Sequence, residues 1–566
     1  MKMRATEAFI KCLEEQDVDT IFGYPGGAVI DLYDELHDQV SIHHYLVRHE
    51  QAAVHAADSY ARVKGDVGVA LVTSGPGATN TVTAIASAYM DSIPVVVFTG
   101  QVPTPLIGND AFQEVDIVGI TRPCTKHNYL VKDPKDLVAT IREAFYIART
   151  GRPGPVLVDL PKDVMAARVN YEEFKPVKMK TYKPTYEPNQ KQIEKTCQAI
   201  MKAKKPVLYI GGGVIASNAH EELTELARKL DIPVTMTLMG LGGFPGTDHL
   251  SMGMLGMHGT YYSNMAVADC DLLIAVGARF DDRVTGRIDA FAPKARIVHI
   301  DIDPTSISKN VKVDIPIVAD CKHALVALNA WFDRSDSFDP AAEKEKHVPW
   351  LKQIGKWKQE HPLGYVEEID VIKPQYVIQK LHELTRGDAI ITTEVGQNQM
   401  WAAQFYHFNY PRHFITSGGL GVMGFGFPAA IGAQVAAPDK TVIDIAGDGS
   451  IQMNIQELAT ARHNRLPVKI AILNNGFLGM VRQWQELFYN KKYASTVLET
   501  APDFVALAQA YGAVGLRASK PEEVEPVIRE ALETDNTVIM DFAISSEEGV
   551  FPMVPAGKAT TEMLLV

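Results

Sequence analysis

Short apolar, β-branched runs alternate with helix-length segments along most of the chain, and this alternation constrains the fold more than any other feature. Such a pattern is typical of parallel βαβ units, whose strands are buried on both faces by helices. The runs that we predict to be buried strands are 67–74, 93–100, 154–161, 206–212, 271–278, 295–302, 440–447 and 466–474. We therefore predict an α/β fold made of doubly wound parallel sheets.

Two stretches interrupt the alternation, and we predict that they are linkers. Residues 166–190 are rich in Lys, Pro and Tyr and have no strand pattern, and residues 334–372 contain a Lys- and Glu-rich helical stretch. A chain of 566 residues is long enough for three or four domains at about 150 residues each. The predicted domains are residues 1–165, 191–333 and 373–566.

The first and third of these domains contain a similar segment. Residues 67–98 and 440–473 both run strand, Gly-rich turn, helix, strand. The turn glycine precedes the proline before the next strand by 19 residues (Gly75 to Pro94) in one and by 20 residues (Gly447 to Pro467) in the other. Any two βαβ units share such features, and a duplicated domain whose copies share one ligand would produce them too.

Charge and cysteine content exclude several classes of function. The formal net charge is −13, so binding to nucleic acid through clustered Lys and Arg is not expected. The five cysteines are scattered and form no CxxC pair, which favours reduced thiols and no zinc site. No apolar run approaches 18 residues and the N-terminus is unlike a signal peptide, so we predict a cytoplasmic protein without a membrane span.

The strongest motif is Gly447-Asp448-Gly449, followed after one helix and one strand by Asn474-Asn475. We predict that the Gly-rich turn opens a helix, whose free N–H groups could bind a phosphate. A carboxylate next to a phosphate is repelled unless a hard cation lies between them, and Mg²⁺ takes such oxygen ligands. The motif therefore predicts a site for Mg²⁺ and a phosphate group.

This motif resembles the metal–diphosphate motif of thiamine diphosphate enzymes. Those enzymes also need a glutamate from another domain, and Arg48-His49-Glu50-Gln51-Ala52-Ala53 is similar to that element. The glutamate hydrogen-bonds the aminopyrimidine of the cofactor and so helps its amino group to remove the thiazolium C2 proton. The resemblance implies that Glu50 is catalytic.

Further segments are similar to the acetohydroxyacid synthase (acetolactate synthase) family. They include FGYPGGA (22–28), TSGPGATN (73–80), DAFQEVD (110–116), GARFDDRVTG (277–286), SGGLGVMGFGFPAAIGA (417–433) and GMVRQWQ (479–485). In that family, pyruvate is decarboxylated and its hydroxyethyl group is transferred to a second pyruvate or to 2-ketobutyrate. The products are 2-acetolactate and 2-aceto-2-hydroxybutyrate, in branched-chain amino acid synthesis. The resemblance implies pyrimidine-binding, central FAD-binding and thiamine diphosphate/Mg²⁺-binding domains, in that order.

The resemblance also implies roles for individual residues. Asp448, Asn475 and the backbone carbonyl of Phe477 would bind Mg²⁺, and Met423 would hold the cofactor in its bent shape. An Arg fork suits a carboxylate and a Trp face suits an extra methylene, so Arg283 and Trp484 would select the second ketoacid. Residues expected around the reacting centre are Gly27, Ala28, Phe112, Gln113 and Lys162. Other expected contacts of thiamine diphosphate are Gln397, Asn398, Gly421, Gly447, Gly449 and Ser450.

A flavin site in the middle domain is also implied. The run Gly211-Gly212-Gly213-Val214-Ile215-Ala216 fits a dinucleotide fingerprint only loosely, because the usual acidic residue about 20 positions later is not evident. Residues 279–283 (RFDDR) are more specific, since they are similar to FAD-containing biosynthetic synthases. Expected FAD contacts are Arg152, Gly212, His258, Arg279, Asp301 and Asp320.

One residue departs from the family pattern: Asn398 stands where the family usually has a histidine beside the diphosphate. An Asn amide can donate to phosphate but carries no positive charge, so the expected contact there is weaker.

Two other functions remain open beside carboligation. Pyruvate oxidases share the three-domain plan and both cofactors, but they leave Arg283 and Trp484 without a role. A non-catalytic relative would not need Glu50, Asp448 and Asn475 together. The resemblance further implies a homodimer or homotetramer with sites at the subunit interface, and it is compatible with a small regulatory subunit.

Overall fold

The structure is a computed structural model that describes residues 1–565, and within them the core consists of three parallel sheets of six strands each. Apolar strands such as 68–72 and 272–276 are completely buried, because helices flank each sheet. The predicted α/β fold with three parallel-sheet domains is confirmed, and each of the eight predicted strands is present.

The first domain has the sheet order β3-β2-β4-β5-β7-β6, and a separate antiparallel pair, β1 with β8, joins its two ends. Its strands are β1 (Lys2–Arg4), β2 (Thr20–Tyr24), β3 (His43–Leu46), β4 (Gly68–Val72), β5 (Val95–Gln101), β6 (His127–Leu130), β7 (Val156–Pro161) and β8 (Arg168–Asn170). Its helices are α1 (Ala5–Glu14), α2 (Ile30–Asp38), α3 (Glu50–Lys64), α4 (Pro76–Thr79), α5 (Val82–Asp91), α6 (Ile117–Thr121), α7 (Leu137–Arg149) and α8 (Lys162–Met165).

The middle domain has the order β11-β10-β9-β12-β13-β14, which is the strand order of dinucleotide-binding folds. Its strands are β9 (Pro206–Ile210), β10 (Val234–Met236), β11 (Ser251–Met254), β12 (Leu272–Val276), β13 (Arg296–Asp301) and β14 (Ile315–Val318). Its helices are α9 (Gln190–Lys202), α10 (Gly212–Ala216), α11 (His220–Leu230), α12 (Tyr261–Asp269), α13 (Asp282–Thr285), α14 (Cys321–Arg334) and α15 (Pro340–Glu360).

The third domain has the order β16-β15-β17-β18-β20-β19. Its strands are β15 (Ile390–Thr393), β16 (Phe414–Ile415), β17 (Val442–Gly447), β18 (Lys469–Asn474), β19 (Val514–Ala518) and β20 (Val538–Ala543). Its helices are α16 (Pro374–Thr385), α17 (Gln397–Phe405), α18 (Gly426–Ala436), α19 (Leu458–His463), α20 (Gly479–Phe488), α21 (Phe504–Ala510) and α22 (Pro521–Glu533). Counted within the domain, this order equals that of the first domain, which favours a duplicated domain over a chance likeness.

Short 3₁₀ turns connect several of these elements. They are Thr104–Leu106, Arg122–Cys124, Pro134–Asp136, Leu238–Gly240, Ile288–Ala290, Pro304–Ser306, Ile451–Met453 and Ile455–Glu457.

The stretch 334–372 differs from the predicted linker because most of it is helix α15, which packs on the middle domain. Trp350 is buried, and its indole Nε1 donates to the Pro206 carbonyl at 3.1 Å. Ile354, one turn later, is buried on the same face, while the Lys and Glu residues cover the other side. Because most residues of this segment are charged or polar, the apolar stripe is not evident in the sequence. The exact domain limits stay a prediction.

The first and third domains of the chain are joined by the packing of α3 on α18. A Cβ at Gly432 would lie 2.0 Å from the Ala56 carbonyl oxygen, so the two helix backbones touch without side chains between them. Of the helices within residues 1–565, none is both long and apolar enough to cross a membrane. All five cysteines, each within the described residues, are free thiols.

Candidate functional site

A cavity of about 660 Å³ lies between the middle and third domains. Its walls include the residues that follow five parallel strands: Gly211, Gly277, Gly396, Asp448 and Asn475. Carboxyl ends of parallel strands are where open α/β sheets bind ligands. We call this space the interdomain cavity.

The interdomain cavity brings together most of the predicted site residues of the middle and third domains, and Arg152 of the first domain also lies in its wall. Those in its wall are Arg152, Gly212, His258, Arg279, Arg283, Gln397, Asn398, Gly421, Met423, Gly447, Asp448, Gly449, Ser450, Asn475, Phe477 and Trp484. Among residues 1–565, the predicted site residues outside the wall are Gly27, Ala28, Glu50, Phe112, Gln113, Lys162, Asp301 and Asp320. The first six of these belong to the first domain.

Asp448 and Asn475 present a carboxylate and an amide oxygen at neighbouring strand ends, as predicted. Asp448 is 1% exposed, and burial raises the pKa of its carboxyl to about 6. Its Oδ2 accepts the Gly476 N–H at 3.1 Å, and Asn475 Oδ1 accepts the Phe477 N–H at 3.0 Å. A buried carboxylate without a counterion is costly, and a hard divalent cation beside these oxygens would offset that cost.

The amide of Asn475 is oriented by a chain of side-chain hydrogen bonds. Asn475 Nδ2 donates to Gln397 Oε1 at 3.2 Å, and Gln397 Nε2 donates to Gln483 Oε1 at 2.9 Å and to the Glu548 carbonyl at 3.0 Å. Because Nδ2 is engaged in this way, the other end of the amide, Oδ1, is the oxygen available as a cation ligand. Gln397 therefore orients Asn475 in this structure.

The prediction that the Gly447–Gly449 turn opens a helix is wrong in detail. Two 3₁₀ turns follow it, and the α-helix begins only at Leu458. Asn454, at φ −134°, interrupts the helical backbone, and its Nδ2 donates to the Gly424 carbonyl at 2.6 Å. Gly447, Asp448, Gly449 and Ser450 nevertheless all line the interdomain cavity, so a phosphate group could lie against this turn.

Asn398 lies in the cavity wall, and the expected donation from its amide to phosphate stays a prediction, since two backbone carbonyls accept from that amide in this structure. Asn398 Nδ2 donates to the Glu394 carbonyl at 3.0 Å and to the Ile445 carbonyl at 2.8 Å. Both amide protons are thus used to tie the ends of β15 and β17 together. The side-chain oxygen faces the Gly396 and Gly447 backbone, since a Cβ at those glycines would lie 2.8 and 3.6 Å from it.

The first-domain residues form a second group, the first-domain cluster, defined as Gly27, Ala28, Glu50, Phe112, Gln113 and Lys162. Lys162 Nζ donates to the Gly27 carbonyl at 3.0 Å, and Glu50 Oε2 accepts Asn80 Nδ2 at 2.9 Å. Gly75, at φ +58°, lets Gln113 approach, because a Cβ there would lie 2.8 Å from the Gln113 carbonyl oxygen. Phe112 is 88% exposed. The cluster is therefore an open surface rather than a closed pocket.

Arg283 and Trp484 line the same cavity. The Arg283 guanidinium is largely exposed and its nearest carboxylate, Asp282, is 3.9 Å away. Trp484 is half-buried and meets Phe488 edge to face, with 6.3 Å between ring centroids. Within the described residues, its buried indole Nε1 has no hydrogen-bond partner. Both side chains are available to a ligand in the cavity.

The predicted FAD residues are only partly brought together. Arg152 donates to Ser92 Oγ at 2.8 Å and pairs with Asp303 at 3.2 Å beside the cavity. Burial lowers the pKa of His258 to about 4, so its ring is neutral, and its Nδ1 has no partner among residues 1–565. Asp320, by contrast, caps α14 by accepting the Lys322 and His323 N–H groups, and Asp301 accepts the Asp303 N–H.

Several buried polar residues near the cavity were missed by the sequence analysis. Glu394 and Asp444 are fully buried carboxylates, and burial raises the pKa of Glu394 to about 7. Asp91 and Arg62 of the first domain reach the loop that carries Met423. Only Glu394 has a signal in the sequence, because it is a charged residue at the end of an apolar strand, in the run TTEVGQ.

The chain is similar to known proteins over its whole length. Three family models of thiamine pyrophosphate enzymes match it: the N-terminal TPP binding domain at residues 3–120, the central domain at 193–328 and the C-terminal TPP binding domain at 394–542. Acetolactate synthase isozyme 3 large subunit of Escherichia coli (strain K12) is 50% identical, covering 100% of this chain and 98% of that protein. The acetolactate synthase large subunit of Haemophilus influenzae is 48% identical with the same coverage, and that of Corynebacterium glutamicum is 50% identical over 99% of this chain and 90% of its own.

Proposed function

The chain belongs to the thiamine pyrophosphate enzymes, and among them to the acetolactate synthase large subunits, and from that premise we propose how its own residues carry out the reaction. The reaction joins two 2-ketoacids: pyruvate loses CO₂, and the remaining hydroxyethyl unit is transferred to a second pyruvate or to 2-ketobutyrate. The observation that carries this proposal is the identity of about half of all residues with synthases matched over their full length. The products feed branched-chain amino acid synthesis.

We propose that Mg²⁺ and the diphosphate of the cofactor bind at the strand ends of the third domain. The buried oxygens of Asp448 and Asn475 fit an oxygen-seeking cation, and the Gly447–Gly449 turn lines the cavity in which the phosphate would lie. The backbone carbonyl of Phe477 completes the proposed protein ligands. When bound, thiamine diphosphate supplies a thiazolium carbon that can stabilise negative charge on the substrate carbon.

Glu50 is proposed to hold and move a proton at the aminopyrimidine ring. It is the first residue of α3, so its carboxylate projects from a helix end and is not paired with a cation in the described residues. The other residues of the first-domain cluster surround the substrate in this proposal. Gln113 and Lys162 supply donors for carbonyl or carboxylate oxygens, and Gly27, Ala28 and Phe112 exclude water.

Glu50 does not line the cavity that contains Asp448. We propose that the first-domain cluster and the interdomain cavity meet between two chains. In a homodimer, the first-domain cluster of one chain would close the interdomain cavity of its partner. The exposed Phe112 would then be buried at the subunit interface. The relatives are large subunits by name, and we propose that this chain likewise accepts a small regulatory subunit and acts in the cytoplasm.

FAD is proposed to lie in the part of the interdomain cavity formed by the middle domain. Support comes from the strand order β11-β10-β9-β12-β13-β14 of this parallel sheet. Successive strands are added on one side of β9 and then, from β12 onward, on its other side, and Gly211 and Gly212 follow β9 at this switch point, where such sheets bind ligands. Arg152, Arg279 and the unpartnered His258 Nδ1 provide polar contacts in the wall. Asp301 and Asp320 accept backbone N–H groups with Oδ1 only, so we propose that their Oδ2 atoms contact the flavin nucleotide.

Trp484→Leu is expected to reduce the preference for 2-ketobutyrate over pyruvate by roughly 1–3 kcal/mol, because the aromatic face that contacts the extra methylene is lost. Decarboxylation of the first pyruvate should be unchanged. Competition between the two acceptors, with both products quantified, measures this. Phe488→Leu is the matched control, because Phe488 touches the Trp484 ring but is outside the cavity wall. An unchanged preference in Trp484→Leu would remove this residue from the acceptor site.

The proposed reaction is tested by giving purified protein pyruvate together with Mg²⁺, thiamine diphosphate and FAD, and by omitting each in turn. We expect 2-acetolactate as the product and no activity without Mg²⁺ or thiamine diphosphate. An oxidase, the second candidate, shares the domain plan and would instead form acetyl phosphate or reduce the flavin. Either of these results, without acetolactate, would contradict the proposal.

A further inference from the structure

The loop before α18 is held at both ends by buried carboxylates. We call residues 417–424 the methionine loop, because Met423 is its half-buried apolar side chain. Gly421 and Gly424 have φ of +73° and +85°, and four of the eight residues are glycine. Such a loop is flexible unless its backbone groups are bound.

At its start, the methionine loop is bound by Asp91, the last residue of α5 in the first domain. The Asp91 side chain is fully buried. Its Oδ1 accepts the Gly419 N–H at 2.7 Å, and its Oδ2 accepts the Gly418 N–H at 3.1 Å. One carboxylate therefore binds two consecutive backbone N–H groups of another domain. Bonds of this kind to an ionised acceptor are stronger than bonds between neutral groups.

Arg62 forms an ion pair with this carboxylate and adds a further bond to the third domain. The guanidinium is 8% exposed and donates to Asp91 at 3.1 Å, to Asp58 at 2.6 Å and to the Thr416 carbonyl at 2.9 Å. Asp58 and Arg62 are one turn apart on α3. The helix that begins at Glu50 thus also braces the residue before the methionine loop.

At its end, the methionine loop is bound by Glu394, which follows β15. Glu394 is fully buried, its Oε2 accepts the Gly424 N–H at 2.6 Å, and its Oε1 accepts the Phe427 N–H at 3.1 Å. Ser417 Oγ accepts the Val422 N–H at 3.1 Å and lies 2.8 Å from Ser87 Oγ. The residues on both sides of Met423 are therefore bound by buried side chains.

We propose that Asp91 and Glu394 are positioning residues that fix the backbone of the methionine loop and hold Met423 where it supports the bent cofactor. The inference rests on the proposed function in one respect, that Met423 contacts thiamine diphosphate. Its physical basis is preorganisation, because a loop ordered before binding loses less freedom when the cofactor arrives. Displacement of a catalytic contact by about 1 Å can cost roughly 100-fold in rate.

The test uses Asp91→Asn and Glu394→Gln in the full-length protein. Each amide replaces one acceptor oxygen by an NH₂ group, which then opposes a backbone N–H. Without cofactor, we expect faster amide hydrogen exchange within residues 417–424 than in wild type. With Mg²⁺ and thiamine diphosphate, calorimetric affinity should fall, because the loosened loop must be ordered on binding, but binding should persist because Asp448 and Asn475 are intact. The rate of C2 proton exchange in the bound cofactor should fall roughly 10- to 100-fold.

Glu15→Gln is the matched control, since it removes a carboxylate from a partly buried ion pair with Arg142, remote from the methionine loop. If Asp91 and Glu394 had only a structural role, their variants would lose stability as Glu15→Gln does, and C2 exchange in the bound cofactor would be unchanged. Ser87→Ala, a milder change, serves if the carboxylate variants do not fold. Unchanged amide exchange in residues 417–424, or unchanged C2 exchange despite faster amide exchange, would overturn the proposal. Met423→Ala distinguishes the proposed contact of Met423 with the cofactor from the proposed fixing of the loop by Asp91 and Glu394. Normal C2 exchange in Met423→Ala would refute the contact. Amide exchange in Asp91→Asn and Glu394→Gln would still test the fixing of the loop.

Discussion

Glu50→Gln is expected to leave the fold intact and to slow the enzyme by roughly 10²- to 10⁴-fold, the usual contribution of a general acid–base group. The fold should persist because Glu50 is half-buried and makes its hydrogen bond by accepting from Asn80 Nδ2. The amide oxygen of Gln can accept the same bond. It cannot take up or release a proton at neutral pH, so the step that needs a proton at the aminopyrimidine ring should slow by that factor.

Two measurements on Glu50→Gln are needed together. Exchange of the C2 proton of bound thiamine diphosphate, followed by NMR in D₂O, reports the proton transfer, and thermal unfolding reports the fold. Glu7→Gln, which changes an exposed carboxylate of the same domain paired with Arg4, is the control and should match wild type in both. Wild-type exchange in Glu50→Gln would show that this residue has no part in the chemistry.

Asp448→Ala is expected to abolish activity through loss of Mg²⁺ and cofactor binding rather than through misfolding. Removal of groups that hydrogen-bond to a metal's ligands costs roughly 10- to 100-fold in metal affinity, and loss of a direct ligand should cost at least as much. Stability of the cofactor-free protein should not fall, because burial raises the pKa of Asp448 to about 6. Because of that raised pKa, ionisation of Asp448 costs folding stability progressively as the pH rises from 3.8, and the full cost, which Ala removes, applies above about 6.

The readout for Asp448→Ala is the rise in melting temperature when Mg²⁺ and thiamine diphosphate are added, since a ligand that binds only the folded state stabilises it. Wild type and the control Asp439→Ala, an exposed carboxylate of the same domain, should both show the rise. Asp448→Ala should show little rise in melting temperature, and part of the rise should return at high Mg²⁺ concentration. If Asp448→Ala binds the cofactor as tightly as wild type, the metal assignment is wrong.

The fold and the family could be predicted from the sequence because their signals are local. Buried strands such as β12 are continuous apolar runs, and the Gly447–Gly449 turn with Asn475 has a fixed spacing set by one helix and one strand. The full-length similarity to acetolactate synthase large subunits confirms the family predicted from these motifs. Helix α15 lies inside the predicted linker 334–372, because its charged residues outnumber the few apolar ones that pack and the sequence therefore shows no clear apolar stripe.

The tertiary details near the site could not be predicted in the same way. Asp91 and Gly419 are 328 residues apart, and nothing in either local sequence indicates the hydrogen bond between them. Asn398 was expected to donate to phosphate, yet the carbonyls at the ends of two strands take both of its amide protons. Hydrogen bonds of this kind depend on how whole domains pack, so the spacing of residues in the sequence does not predict them.

We propose that each active site combines the first-domain cluster of one chain with the interdomain cavity of another. The shared site is tested most directly by mixing two inactive variants, Glu50→Ala and Asp448→Ala, under conditions of confirmed subunit exchange. Statistical assembly makes about half of the dimers mixed, and each mixed dimer has one intact site, so activity should recover to about a quarter of wild type. No recovery, although mixed dimers are demonstrated, would contradict the shared site and place Glu50 and Asp448 of one chain in the same site.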